Sequence, residues 1–499
     1  MKSFLRGCLF LFLGMTGMLH AHVGMPFVVL EGKAGRYPVR VVVQQPDVVP
    51  GLAHIGVRVL EGKPAGVSVL PLHWDTDRSG APRPDPARPV PGESGLYEGE
   101  LWFMGTGAYG VVVQIEGEGG GTLVVPANSL ATSRKPMPEW MGWMLAGLGA
   151  LLLVGWTSIG YAAFRESTVL GRLVGRRWKG ALGAGLAALF AVGAVFGGQR
   201  WWGAVDVQHE QRAQGQRMAL DVEATGSSLA FRVQGSDPRG RDRRGMPTRM
   251  GGWELVQDHG RLLHAFVIGA GTEPVFLHLH PESGADLIPR SGVGALPVGE
   301  YNVFLDVTHA LGAVQTLTNR LVISHPVKGG ERTDPDDAWH QGPAGLPGTA
   351  QSIGEGREVT FAIEGNLRAG EPIRLIARFR EAAGGPCQLE PYLRMPAHAV
   401  VAAVDGSVFT HLHPAGNLSM AAARRFALRA GGDAAAQEAD VNCGDLGALP
   451  AEVVARLLGR GEVTFPMVFP KPGDYRVWVQ ARIAGRIRTG CFRVEVPVG

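Results

Sequence analysis

The chain is short of thiols, of helix-forming stretches outside two apolar runs, and of net charge. Only four cysteines occur in 499 residues, and no Cys-x-x-Cys pair is among them. That excludes a zinc ribbon and a thioredoxin-type redox site. Cys8 lies in a targeting segment, which leaves Cys387, Cys443 and Cys491, an odd set allowing at most one intrachain disulfide. A net charge of +3 and the absence of a Lys/Arg-rich arm argue against a nucleic-acid partner. There is no HExxH, no phosphate-binding glycine loop, no Ser/His/Asp set in a known local context and no obvious carboxylate pair. A cupin-like oxygenase uses His-x-His, but it needs a glutamate a few residues on. Glu282 follows His280 too closely, and no glutamate follows His413 in that window. The chain reads as non-enzymatic.

Glycine (73) and proline (34) are abundant, the composition of turn-rich β domains. The length implies about three or four domains. Residues 1–21 read as a secretory signal, with Lys2 and Arg6 before an apolar core and Ala21 at the cleavage point. Leu19 suits that cleavage poorly, so an uncleaved anchor is the alternative. Cleavage after Ala21 would expose His22, whose amine and imidazole together chelate copper. Residues 22–136 form an expected β-sandwich with β-branched runs at 39–43, 55–60 and 110–115.

Two apolar segments, 139–164 and 180–200, are expected to cross a membrane, which takes roughly 20 residues. The 165–179 loop between them carries Arg165, Arg172, Arg176, Arg177 and Lys179 against Glu166, so the positive-inside rule places it in the cytoplasm. Both flanking regions then lie in the extracytoplasmic space, with the spans in the inner membrane. Gly180, Gly183 and Gly185 suit close helix packing. No charge lies within the apolar runs 140–164 and 181–198, so they anchor and do not transport. The basic tract Arg239–Arg244 reads as a solvated loop.

The C-terminal half repeats itself. Val275-Phe-Leu-His-Leu-His-Pro281 returns as Val408-Phe-Thr-His-Leu-His-Pro414, and Leu296-Pro-Val-Gly-Glu-Tyr-Asn-Val-Phe-Leu-Asp306 corresponds to Lys471-Pro-Gly-Asp-Tyr-Arg-Val-Trp-Val479. Tandem sandwiches are expected at 203–325 and 355–499, joined by a linker at 326–354. The second repeat carries an insertion near 421–461, with a short helix expected at 450–458.

Residues two apart on a strand face the same way. His278 and His280 therefore stand side by side, as do His411 and His413. His264 and His398 lie in apolar runs upstream, at a spacing that lets a return strand bring each beside its pair. Three imidazoles, twice over, form a candidate metal site; the plain alternative is polar surface. Copper, as Cu(I) or Cu(II), and zinc as the alternative, are the extracytoplasmic metals that suit imidazole. Methionine bears on the choice. Met395 and Met420 flank the second set and would soften it toward Cu(I), unless they are core. His259 stands before His264 and would make the first set richer in nitrogen. Asp258 is a candidate acceptor for an imidazole N–H.

The start of the chain, with Glu31-Gly-Lys-Ala-Gly-Arg-Tyr-Pro-Val39 and Leu101-Trp-Phe-Met-Gly-Thr-Gly-Ala-Tyr-Gly-Val111, resembles bacterial membrane-anchored envelope proteins with a YtkA-like or FixH-like domain. The repeats, with His259-Gly-Arg-Leu-Leu-His264, the HxHP motifs and Pro472-Gly-Asp-Tyr-Arg-Val-Trp478, resemble cupredoxin-like copper-handling domains. The resemblance implies three Ig-like or cupredoxin-like sandwiches and copper sequestration, delivery or sensing in the envelope. Rival expectations are a structural or protein-interaction array without metal, and an assembly factor for a membrane oxidase, which would need a membrane protein partner.

Overall fold

The computed structural model describes residues 25–76, 78–105, 107–129, 137–165, 168–169, 172–173, 177–214, 218–234, 255–269, 271, 274–284, 286, 288–431 and 446–498. The signal segment, His22, Cys443 and the 239–244 tract lie outside these residues. The chain divides into two compact units. One unites the N-terminal region with residues 219–499, and the other comprises residues 132–218.

The fold is mainly β, with two antiparallel sheets in each of three modules. In the N-terminal module, one sheet is built on Phe27–Ala34, Tyr37–Gln44, Gly51–Val59 and Leu96–Phe103, the other on Gly66–His73, Gly107–Glu116 and Gly121–Ser129. Alternation sets its faces. Val39, Val41 and Val43 are buried while Pro38, Arg40 and Val42 are half-buried and Gln44 is exposed, the period expected of a strand with one core face.

In each repeat, the sheet that matters has the same order. In the first, His264–Gly269 lies between Val275–Leu279 and Gly299–His309. In the second, His398–Ala403 lies between Phe409–Leu412 and Gly473–Ile483. Every residue of His398–Ala403 is buried, on both faces. Ala399, Val401 and Ala403 point into their own sandwich, against Phe361, Leu375 and Val477. Val400 and Ala402 instead join Phe266, Phe276, Phe304, Phe409 and Trp478 in a cluster between the two repeats. The repeats are thus pressed together through their histidine-bearing faces.

The segment read as a linker contributes to both sheets. Ala338–Gln341 pairs with Val275–Leu279, and Ala350–Gly354 with Arg357–Glu364. The insertion in repeat 2 holds the expected helix at Ala451–Leu458 and an unexpected one at Met420–Arg429, capped by the Ser419 hydroxyl. That second helix buries Phe426 among Leu70, Val112 and Val124 of the N-terminal module. The Asn417 side chain accepts from the Val29 amide at 2.8 Å and donates to the Phe27 carbonyl at 2.8 Å. These contacts tie the N-terminal sandwich to repeat 2.

The other unit holds two helices long and apolar enough to cross a membrane, Glu139–Arg165 and Arg177–Val205. The latter extends in helical form to Gln214, well beyond the expected end of the span. They pack through Gly160 and Gly183, where a Cβ on Gly183 would lie 2.2 Å from the Gly160 carbonyl oxygen. Only glycine allows that approach.

Candidate metal centre

Strand register assembles each triad. Ala265 pairs with Leu279 and Phe266 with His278. His264 therefore stands opposite His280, their ring centroids 5.1 Å apart. Likewise Ala399 pairs with Leu412 and Val400 with His411, which sets His398 opposite His413 at 5.3 Å. In each set, one nitrogen from each of the three rings lies within 4.8 Å of the others. None of the six residues is more than 8% exposed.

The hydrogen bonds behind the rings decide which nitrogens carry protons. His264 Nε2–H donates to the Asp258 carbonyl at 3.1 Å, and His398 Nε2–H to the Tyr392 carbonyl at 3.1 Å, each acceptor six residues upstream. His280 Nδ1–H donates to Asp337 Oδ1 at 3.1 Å, and His413 Nδ1–H to the Leu418 carbonyl at 3.0 Å. His278 Nδ1–H donates to Gln480 Oε1 at 2.9 Å. A neutral imidazole carries one N–H, so the nitrogens that these five rings turn inward are bare lone pairs, while His411 has only Asp306 Oδ2, 3.8 Å from its Nδ1.

Those lone pairs face one another. His264 Nδ1 and His278 Nε2 are 3.5 Å apart with no proton left to share, and the buried His280 Nε2 has no partner. His398 Nδ1 lies 3.1 Å from His411 Nε2. Two nitrogens each about 2.0–2.1 Å from a tetrahedral ion sit roughly 3.3 Å apart, the same spacing. Buried unpaired acceptors cost about 1–3 kcal/mol each. A cation in each triad would remove that cost, so the donor set fits a metal ion.

Electrostatics agree. Burial pushes all six imidazoles and His259 below their usual range, His413 to about 4. The neutral form, the one that binds metal, is the resident form at neutral pH.

The two triads share one nest at the interface. His278 of repeat 1 is held by Gln480 of repeat 2, while Asp306 of repeat 1 faces His411 of repeat 2 at 3.8 Å. Gln480 and Asp306 occupy the same position in their repeats, opposite His398 and His264. Phe276 stacks on Trp478 at 4.7 Å, and Phe409 on Phe304 at 4.2 Å. Each repeat thus supports the first histidine of the other's motif, an approximate twofold arrangement.

One feature breaks the symmetry. His259 Nε2 lies 3.1 Å from His413 Nε2, placing a seventh imidazole from repeat 1 beside the repeat 2 triad. Its backbone is left-handed, φ 53°, and the matching turn in repeat 2 puts Leu393 there, φ 49°. Met395 and Met420 are placed otherwise. Both side chains join the apolar cluster of the N-terminal sandwich with Leu30, Val41 and Ala415, a packing role. Met395→Leu is accordingly expected to leave metal stoichiometry unchanged in elemental analysis, with at most about 1.5 kcal/mol lost in urea unfolding.

Sequence reasoning did not find Asp337, Gln480, Asp306 or Tyr392. Asp337 is fully buried and also accepts from the His280 amide at 2.7 Å and the Ser291 hydroxyl at 3.0 Å. The run Asp334-Pro-Asp-Asp337 in a segment read as linker was the available signal. Asp337→Asn is expected to weaken metal binding about 10- to 100-fold. Calorimetric titration of the purified chain checks this, with the ion count unchanged.

The family described as "Domain of unknown function (DUF8832)" matches residues 351–498, which is repeat 2. No curated protein matches the chain. Among solved structures, the chain is similar to the D00-D0 domain of intimin, with 9% identity over 56% of this chain and 100% of that one, TM-score 0.14. A bacterial ice-binding adhesin gives 8% identity over 90% of each chain, TM-score 0.14. Escherichia coli alpha-2-macroglobulin gives 10% identity over 95% of this chain and 44% of that one, TM-score 0.18. At such scores these likenesses carry no argument about the site.

Proposed function

We propose that this is a membrane-anchored, extracytoplasmic metal-binding protein that holds two copper ions, one per imidazole triad, between its C-terminal repeats. The observation that carries the reading is the inward convergence of imidazole nitrogens in each buried triad, with the outer nitrogens of five of the six rings held by acceptors. Among first-row divalent metals a nitrogen site favours copper most, and zinc is the alternative. Burial suits sequestration or sensing better than delivery, because a receiving partner would have to reach the ion. Residues on both sides of the two apolar helices belong to one compact unit. Two crossings return the chain to the side it left, which supports both regions lying outside the cytoplasm.

Elemental analysis of the detergent-solubilised full chain, loaded with copper and zinc in competition, tests the reading. Two coppers per chain are expected, falling to one in His278→Ala/His280→Ala and one in His411→Ala/His413→Ala. A wild-type chain that retains no metal after desalting would overturn the reading.

A further inference from the structure

The shortest ring separations between triads fall inside the 4.6–5.8 Å spread found within them. His264 and His411 are 5.5 Å apart and His278 and His411 are 5.4 Å apart, against 5.8 Å for His264 and His278 in one triad. The two triads are thus neighbours in one nest, a placement that would let ions in them act as a pair, as metals about 3.5–4 Å apart do. Three protein nitrogens also leave a tetrahedral ion one position short, the mark of a site that takes an exogenous ligand. Repeat 1 supplies three imidazoles to its own triad, while its fourth, His259, turns to His413 of the other.

The surroundings offer a way in. A cavity of about 40 Å³ is lined by His264, His411, His413, Asp258 and Asp306. Its wall includes Leu262, which is 43% exposed, so it reaches toward solvent. A space of roughly 10–15 Å³ holds one water, so this one admits a small anion of two or three heavy atoms.

We infer that the two triads form one coupled binuclear centre whose open position binds a small bridging anion, reached through this cavity. The inference rests on the proposed metal function and goes further: it assigns the site a ligand class, compact anions such as hydroxide or azide, and denies that the ions are independent. The small volume favours compact anions over larger ones.

The test uses the full chain in detergent, loaded with one and then two Cu(II) per chain, with azide as the probe. Coupling predicts an electron paramagnetic resonance signal that falls on adding the second equivalent. Azide should then bind once per copper pair, with a new charge-transfer band. Leu262→Trp, at the cavity wall, should slow azide binding at least 10-fold while the copper count stays at two. Two full, magnetically isolated spins per chain, or azide binding once per copper, would overturn the inference and leave the metal function standing. Failure to bind copper would remove both.

Discussion

The metal-free protein is expected to lose stability steeply as the pH falls from 6.5 toward 4. Seven buried imidazoles have folded-state values below the 6.5 of an exposed histidine, so in this window the unfolded chain binds protons that the folded chain refuses. Their contribution is fully present above 6.5 and is lost as the pH drops through the folded values. For His413 alone, lowered from 6.5 to about 4, the change is on the order of 3 kcal/mol. Asp306 works in the opposite sense: burial raises its carboxyl to about 7, so its proton favours the folded state below that pH. Burial raises Asp336 and Asp337 in the same sense, but three carboxyls offset only part of seven imidazoles, and a domain holds only about 5–15 kcal/mol in reserve. Urea unfolding followed by tryptophan fluorescence at pH 7.5, 6, 5 and 4 measures the slope. Copper should displace the loss to lower pH, because an ion bound only by the folded state adds about 4 kcal/mol when free metal is 1,000 times its dissociation constant. A flat stability profile over this range would show that the rings are solvated and charged.

Trp478→Ala is expected to open the interface between the repeats and with it the metal site. Trp478 is fully buried, stacks on Phe276 at an interplanar angle of 11°, and has no hydrogen bond from its indole nitrogen. Its contribution is therefore packing, and removal should cost about 3–5 kcal/mol in urea unfolding. Phe276 precedes His278 by two residues on the same face, so the loss should also weaken copper binding at the first triad. Trp478→Phe is the control. Repeat 1 carries Phe304 at this position, stacked on Phe409, so phenylalanine should retain most of the stability and the affinity. Equal losses in both variants would mean that the indole does something other than pack.

The triads were legible in the sequence because strand geometry is local. A two-residue period and a hairpin spacing suffice to place His264 beside His278 and His280. Their meeting across the repeats was not legible. His264–Gly269 and His398–Ala403 are buried on both faces, so neither shows the apolar-polar alternation that would reveal an outer face or its partner. Asp337 was hidden for a different reason: turn-rich composition reads as linker, whereas Ala338–Gln341 completes a sheet edge. Met395 and Met420 carry side chains that serve equally as ligand or filler, and residue chemistry cannot choose between them. The Met420–Arg429 helix went unseen because its apolar face is fixed by docking on a distant module.

X-ray absorption at the copper edge of the loaded full chain addresses the central claim most directly. The account predicts about three nitrogen scatterers per copper near 2.0 Å, with the multiple-scattering pattern of imidazole rings. A first shell dominated by sulfur, or by oxygen without ring scattering, would contradict it.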